Sequence, residues 1–503
     1  MKVRLMLPDD DLDLDAPLPS WTDDLVVDLQ AEPLFEAMAG GDDLLYAVAR
    51  QVLLRPLDDV ALIEYRQQIL RDCSRVPEVV RALYELAGDA LDVRRRVFGG
   101  FMRDNPRVVL HHAIDVLADL LPYLRRLRRI ADEAMDRLGD SGLRTLFAAI
   151  VTDLDENYCQ QVEAEIARLQ LPGGVVIGKR LGLGNAGVGD VLHRPERQHL
   201  ADRLGFGDTR SFSFQVAARD QAGVDALSDL ESRGVNRVAD AAGQAADHLV
   251  GLFRKLRVEL GFYLGCAQLQ TALETAGVAV TRPEPLRTDG SRLTAHGLYD
   301  PCLVLGGAGG AAARPVGNDL NADDRTTVVI TGANSGGKST FLRAVGLGVL
   351  MSQCGLFVCA EDWTWTLRSG LFTHFLREED ATLTSGRFDD ELRRMKDIVD
   401  AVTPGGLVLM NESFASTNES EAAEIGAEVV QGLTRAGVGV VVVTHLYALA
   451  DRLQHSRDEP LFLRAERRGD GVRTYRLVEA EPLPTSFGAD LYARLSPWPE
   501  PQR

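Results

Sequence analysis

The run Gly332-Ala333-Asn334-Ser335-Gly336-Gly337-Lys338-Ser339-Thr340 carries residue types that hold a polyphosphate, at the spacing GxxxxGK[ST]. Glycines allow backbone N–H groups to turn inward on phosphate oxygens, and the N-terminus of a following helix adds its partial positive charge. Lys338 would then reach the β- and γ-phosphates of a nucleotide, and the Ser339 hydroxyl would ligate magnesium. A second candidate pair is Asn411-Glu412, placed where a P-loop ATPase keeps its metal-side acid and its catalytic carboxylate. Glu412 is the candidate general base for an attacking water, with Asn411 on the metal side. His445 completes the set, as a histidine at a strand tip within reach of a γ-phosphate.

Each of these residues needs an element to hold it. Thr327-Val328-Val329-Ile330-Thr331 predicts a buried strand directly before the loop, and Phe341-Leu342-Arg343-Ala344-Val345 predicts the helix after it. That strand, loop and helix order is the context the motif requires. Leu407-Val408-Leu409-Met410 predicts a second buried strand ending at Asn411, and residues 438–444 a third ending at His445. Upstream, Leu44, Ala47, Val48, Gln51 and Val52 recur at helical spacing, as do Val108, His111, Ile114, Val116 and Leu120. Helical periodicity returns over 221–277. Between the two helical stretches, 171–219 is Gly-rich and includes the alternating Ser211-Phe212-Ser213-Phe214-Gln215-Val216, which predicts a short, partly β insertion. The expected organisation is an acidic, Pro-containing extended arm over 1–40, a helical core over 41–285, a linker and start of the next domain over 286–325, with 306–324 Gly/Ala-rich, and a P-loop ATPase domain over 326–503.

Composition narrows the function classes. A chain of 503 residues can bury several cores, and its 45% hydrophobic content is that of an ordinary globular protein. The balance of 55 Lys+Arg against 74 Asp+Glu gives −19, so the whole-chain field repels nucleic acid and any DNA contact must come from a local basic patch. The dense basic clusters are Arg94-Arg95-Arg96 with Arg103 and Arg107, and Arg125-Arg126 with Arg128-Arg129; acidic neighbours make a salt-bridged helix face the default for each. Six scattered cysteines form no CxxC pair and have no histidine at zinc-ligand spacing, which points to reduced thiols and no structural metal. No signal peptide and no apolar run of bilayer-spanning length is evident, so a cytoplasmic location is expected. Gly182-Leu183-Gly184-Asn185-Ala186-Gly187 fits GxGxxG, but Asp190, His193, Arg194 and Pro195 follow it instead of an apolar helix, so a loop is expected there.

The C-terminal residues resemble the ATPase domain of the MutS mismatch-repair family, with its ABC-like nucleotide site. The similarity runs from Thr331 through Arg343 as the Walker A segment. Leu350-Met351 and Gly355-Leu356-Phe357-Val358-Cys359-Ala360 look like the helix and strand that follow. Phe372-Thr373-His374 with Glu379-Asp380 resembles the segment before the signature helix, Thr444-His445 the switch histidine, and Thr485-Ser486-Phe487-Gly488 the closing motif. Arg55-Pro56-Leu57-Asp58-Asp59 with Ile63-Glu64-Tyr65-Arg66-Gln67, and Tyr263-Leu264-Gly265-Cys266-Ala267 with Arg282-Pro283, resemble the start and return of the family's helical core and lever. The resemblance implies ATP and magnesium as cofactors and a homodimer closing through its ATPase domains. It also implies a nucleotide-binding set of Gly332, Asn334, Ser335, Gly336, Gly337, Lys338, Ser339 and Thr340, extended by Asn318 and Asn411.

The chain departs from the family in several places. It begins at the helical core, and its acidic arm holds no Phe-x-Glu wedge, so it is expected to belong to a branch lacking the mismatch reader. Asn411 stands where the family has an aspartate, so slow hydrolysis is expected. Ser413-Phe414-Ala415-Ser416-Thr417-Asn418-Glu419 replaces the family's Gly-Arg-Gly-Thr form. Aligning Phe388 and Glu391 with the signature motif puts Gly386 at the position of the serine that contacts the opposite subunit, with Ser385 one residue away. The function expected is an ATP-driven movement of helical arms, acting on DNA in repair or recombination through backbone contacts without mismatch specificity. The alternative is a nucleotide-gated interaction scaffold with little hydrolysis and no DNA binding.

Overall fold

A computed structural model describes residues 2–97, 105–171, 174–185, 187–193, 215–217, 219–286, 291–306, 315–377, 386–456, 458–469 and 471–484. The chain divides into two compact units. One comprises Glu78–Leu260 with the first few residues, and the other joins Arg4–Pro77 to Gly261–Arg503.

The second unit begins with α1 (Thr22–Leu29), α2 (Glu32–Ala39), α3 (Asp43–Leu53) and α4 (Val60–Arg75). Within the expected 1–40 arm, residues 22–39 are therefore mostly helical, while 2–21 carry no helix or strand. Leu25, Leu29, Leu34, Phe35 and Met38 recur at helical spacing and are buried. Asp42 caps α3 by accepting from the N–H groups of Leu44 at 2.8 Å and Leu45 at 3.3 Å, and Asp59 caps α4 by accepting from Ala61 at 2.7 Å. Each such cap contributes about 1 kcal/mol.

The first unit is helical: α5 (Pro77–Val97), α6 (Pro106–Ala134), α7 (Gly142–Asp153), α8 (Glu156–Leu169) and most of α9 (Gln221–Thr275). Asn105 caps α6, with Pro106 in the first turn where its missing N–H costs nothing. Leu110, Ala113, Ile114, Leu117, Leu120, Leu121 and Leu124 form its buried stripe. Within 171–219, β1 (Val176–Leu181) and β2 (Gly187–His193) pair as an antiparallel hairpin. The GxGxxG stretch is the connection of that hairpin, so it lacks the βαβ setting a dinucleotide site needs; Ala186, Arg194, Pro195 and 211–214 lie outside the described residues.

In the second unit, β3 (Leu293–Leu298), β4 (Asn318–Asn321) and β6 (Asp362–Trp365) form a small antiparallel sheet in the order β4-β3-β6, with the short α10 (Pro301–Leu305) after β3. The stretch 306–324, expected to be linker, thus supplies strand β4; 307–314 lie outside the described residues. The main sheet is built from β5 (Thr327–Gly332), β7 (Leu371–Phe375), β8 (Leu407–Asn411), β9 (Gly439–Val443), β10 (Leu461–Arg467) and β11 (Arg473–Glu479), ordered β11-β10-β5-β9-β8-β7. All neighbours are parallel except β10 and β11. Parallel strands covered on both faces read as continuous apolar runs, as β5, β8 and β9 do. Helices α11 (Lys338–Gln353), α12 (Arg387–Ala401), α13 (Glu419–Arg435) and α14 (Tyr447–Gln454) complete the layers. The expected strand at 355–360 reduces to a single bridge, Val358 with Thr281, because its carbonyl and N–H meet an irregular segment and not a strand edge.

Candidate active site

Strand β5 runs straight into the glycine loop, and α11 begins at Lys338. Gly332 at φ 108° and Gly337 at φ 90° take left-handed backbone that a side chain would strain. A Cβ on Gly332 would also lie 2.8 Å from the Ala465 amide nitrogen on β10, so close strand packing demands glycine there. Lys338 is buried, and its Nζ donates to the carbonyls of Gly332 at 3.0 Å and Ala333 at 3.3 Å. Burial pushes its pKa below the ordinary lysine value; the Glu412 carboxylate opposes that shift and the Arg473 guanidinium adds to it.

Two strands away in the sheet, β8 ends at Asn411, whose Oδ1 accepts from the Ser339 hydroxyl at 3.0 Å. Glu412 follows in left-handed backbone, φ 53°, as does Phe414 at φ 65°. Such backbone in non-glycine residues persists only where the surroundings hold it. Here Phe414 is fully buried, and Glu391 on α12, itself buried, accepts from the Phe414 N–H and the Ser416 hydroxyl. His374 on β7 adds a further tie, with Nδ1 2.7 Å from Ser413 Oγ and Nε2 2.9 Å from the Glu391 carbonyl oxygen. Burial lowers the His374 pKa to about 4, so its ring is neutral at physiological pH.

Strand β9 delivers His445. Its backbone N–H donates to Glu412 Oε2 at 3.1 Å, and its Nδ1 meets the same oxygen. The hydrogen bond to the Glu412 carboxylate raises the His445 pKa above the usual imidazole value, against the effect of burial. The loop, Ser339, Asn411, Glu412 and His445 are thus brought together at the carboxyl ends of parallel strands, the side of such sheets where ligands bind. Thr340 lies in the first turn of α11. Asn318 lies between β4 and β11: its amide donates to Tyr475 O at 3.0 Å, the carbonyl that a Cβ on Gly337 would approach at 3.6 Å, and its Oδ1 accepts from Leu477 N–H at 2.6 Å. Ser385, Glu379, Asp380 and Thr485-Ser486-Phe487-Gly488 lie outside the described residues, whereas Gly386 caps α12 with open space around the position of a Cβ.

Two features carry no local sequence signal. Arg473, at the start of β11, donates from Nε to the loop carbonyl of Asn334 at 2.6 Å, across 139 residues of chain. Arg394 on α12 donates to Asp28 at 3.0 Å and Asp24 at 3.2 Å on α1, and to Phe375 O at 2.9 Å. Helix α12 is thereby tied to the N-terminal segment.

A helical unit joined to an α/β unit whose parallel sheet carries a glycine-rich loop, a serine–carboxamide pair and an adjacent carboxylate is the class these observations define. Comparison with known proteins gives the family. The family model described as MutS2 N-terminal domain matches residues 58–276, and that described as MutS domain V, the family's ATPase domain, matches residues 328–501. The chain belongs to the MutS family. It is 30% identical over 323 residues to a protein named Endonuclease MutS2 from Gemmatimonas aurantiaca, covering 61% of this chain and 36% of that one. It is 32% identical over 135 residues to Endonuclease MutS2 of Thermus thermophilus, covering 27% and 18%. It is 32% identical over 183 residues to DNA mismatch repair protein MutS 2 of Halobacterium salinarum, covering 36% and 21%. The chain therefore spans about a third or less of the length of these relatives. Among the described residues, no helix is long and apolar enough to cross a membrane, and the six cysteines are free and buried.

Proposed function

We propose that the chain binds Mg-ATP on the 332–340 loop of an ABC-like P-loop domain, 326–503, and hydrolyses it slowly to move the helical core and lever of 41–285. The observation that carries this reading is the Ser339–Asn411 hydrogen bond, which puts two hard oxygen donors side by side at the head of α11. A magnesium ion, when bound, would draw on both oxygens and neutralise charge on the phosphates. Lys338 holds the β- and γ-phosphates. Glu412 accepts the proton of the attacking water, and His445, which occupies Oε2 twice, orients that carboxylate and leaves Oε1 for the water. In this reading two chains close as a homodimer through their ATPase domains, with the open Gly386 end of α12 facing the partner's nucleotide.

DNA is the proposed partner of the arms, bound through its backbone without mismatch specificity. The names of the relatives support a place in repair or recombination. One observation favours the scaffold reading instead: Arg107 pairs with Glu231, and Arg125 with Glu163 at 2.9 Å and Glu156 at 3.6 Å, so these basic residues are already neutralised. The side chains of Arg94, Arg95, Arg96 and Arg103 lie outside the described set. ATP turnover measured with and without linear, mismatched and branched DNA separates the two: stimulation supports the DNA reading and indifference supports the scaffold.

A further inference from the structure

Arg473 is only 9% exposed, yet its guanidinium is not matched by an acid. Its Nε bonds to Asn334 O at 2.6 Å, its Nη1 lies 3.5 Å from Gly471 O, and its buried Nη2 has no hydrogen-bond partner. Among the described residues no carboxylate comes within ion-pair distance of it. Burying a cation without a counter-charge is costly, and proteins keep such groups where an anion supplies the missing charge. The cost is compounded here, because the Arg473 charge also disfavours the Lys338 ammonium. Two cations therefore converge on one loop whose backbone turns in left-handed geometry at Gly332, Ser335 and Gly337. The start of β11 follows that loop closely: a Cβ on Gly337 would lie 3.6 Å from Tyr475 O.

We infer that Arg473 is a phosphate-binding residue, a second cation in the same chain that engages the polyphosphate of the nucleotide beside Lys338. This rests on the reading of 332–340 as an ATP site. The guanidinium fork suits the role: Nε fixes the loop through Asn334 while Nη2 is left without a partner for a phosphate oxygen to fill. The competing explanation is a loop clamp, in which only the bond to Asn334 matters. Glutamine separates the two, since its amide can still donate to that carbonyl but carries no charge.

The test is equilibrium binding of ATP, and of inorganic tripolyphosphate as competitor, to the full chain and to Arg473→Gln, Arg473→Lys and Lys338→Ala. Loss of a charge-assisted contact is expected to weaken both ligands by roughly 10- to 100-fold in Arg473→Gln. The ionic-strength dependence should also become shallower, which a clamp would not change. Arg473→Lys keeps charge and a donor but loses the fork, and should weaken binding by about 3- to 10-fold; it decides the matter if Arg473→Gln does not fold. Wild-type affinity in folded Arg473→Gln, or in Arg473→Lys, overturns the inference while leaving the ATP site standing if Lys338→Ala still abolishes binding. Wild-type protein that binds neither ATP nor tripolyphosphate overturns both.

Discussion

Ser339 and Asn411 lie 72 residues apart in sequence and meet at 3.0 Å, hydroxyl to carboxamide oxygen, across the head of the main sheet. A carboxamide offers a magnesium shell an oxygen of the same reach as a carboxylate but without the charge that helps retain a hard cation. Asn411→Asp is therefore expected to lower the magnesium concentration needed for half-maximal turnover several-fold and to raise the rate. Titration of rate against magnesium in both proteins checks this. Superimposable curves would mean that Asn411 has no metal role.

The Glu412–His445 pair makes stability depend on pH. The hydrogen bond to the Glu412 carboxylate raises the His445 pKa above its ordinary 6.5 in the folded protein, with burial acting against it. A raised folded pKa means that the stabilisation is fully present below the unfolded value and is lost as pH rises through the folded one. The difference in Tm between wild type and Glu412→Gln should therefore be larger near about pH 6 than near about pH 9. A difference that is constant across that range, or that grows with pH, contradicts the pairing.

Arg394 is the counter-ion of a carboxylate that is almost out of solvent, the Asp28 side chain being 2% exposed and that of Arg394 11%. Burial raises the Asp28 pKa even with Arg394 and Arg377 opposing it. Arg394→Leu leaves that carboxylate with only the longer Arg377 contact, Nε at 3.6 Å, and should cost about 3 kcal/mol, within the range for breaking a buried pair. Thermal unfolding of the single variant and of Arg394→Leu with Asp28→Asn measures it. The double variant should recover part of the lost Tm, since the under-compensated buried carboxylate is then gone.

How much of this could be read from the chain alone follows from how local each signal is. The loop, β5 and α11 are contiguous, and their glycine spacing and β-branched run carry the information within about 20 residues. The same holds for β8 with Asn411-Glu412 and β9 with His445. Asp24 and Asp28 have the composition of a solvated arm, and what makes them structural is an arginine more than 360 residues away. Arg473 is likewise one arginine among many until β10 and β11 fold against β5 and bring it to Asn334. Asn318 was legible only by resemblance, and its amide turned out to tie two strands together at both ends.

Turnover of Glu412→Gln, measured with ATP affinity in the same preparation, bears most directly on a hydrolytic site at 332–340, 411–412 and 445. Glutamine keeps the shape of the side chain and loses its basicity. Wild type should bind Mg-ATP and hydrolyse it slowly, whereas Glu412→Gln should bind ATP as wild type does, lose turnover by about 100-fold or more, and accumulate as an ATP-bound dimer. Wild-type turnover in Glu412→Gln would contradict the assignment of Glu412 as general base and, with it, the catalytic reading of the site.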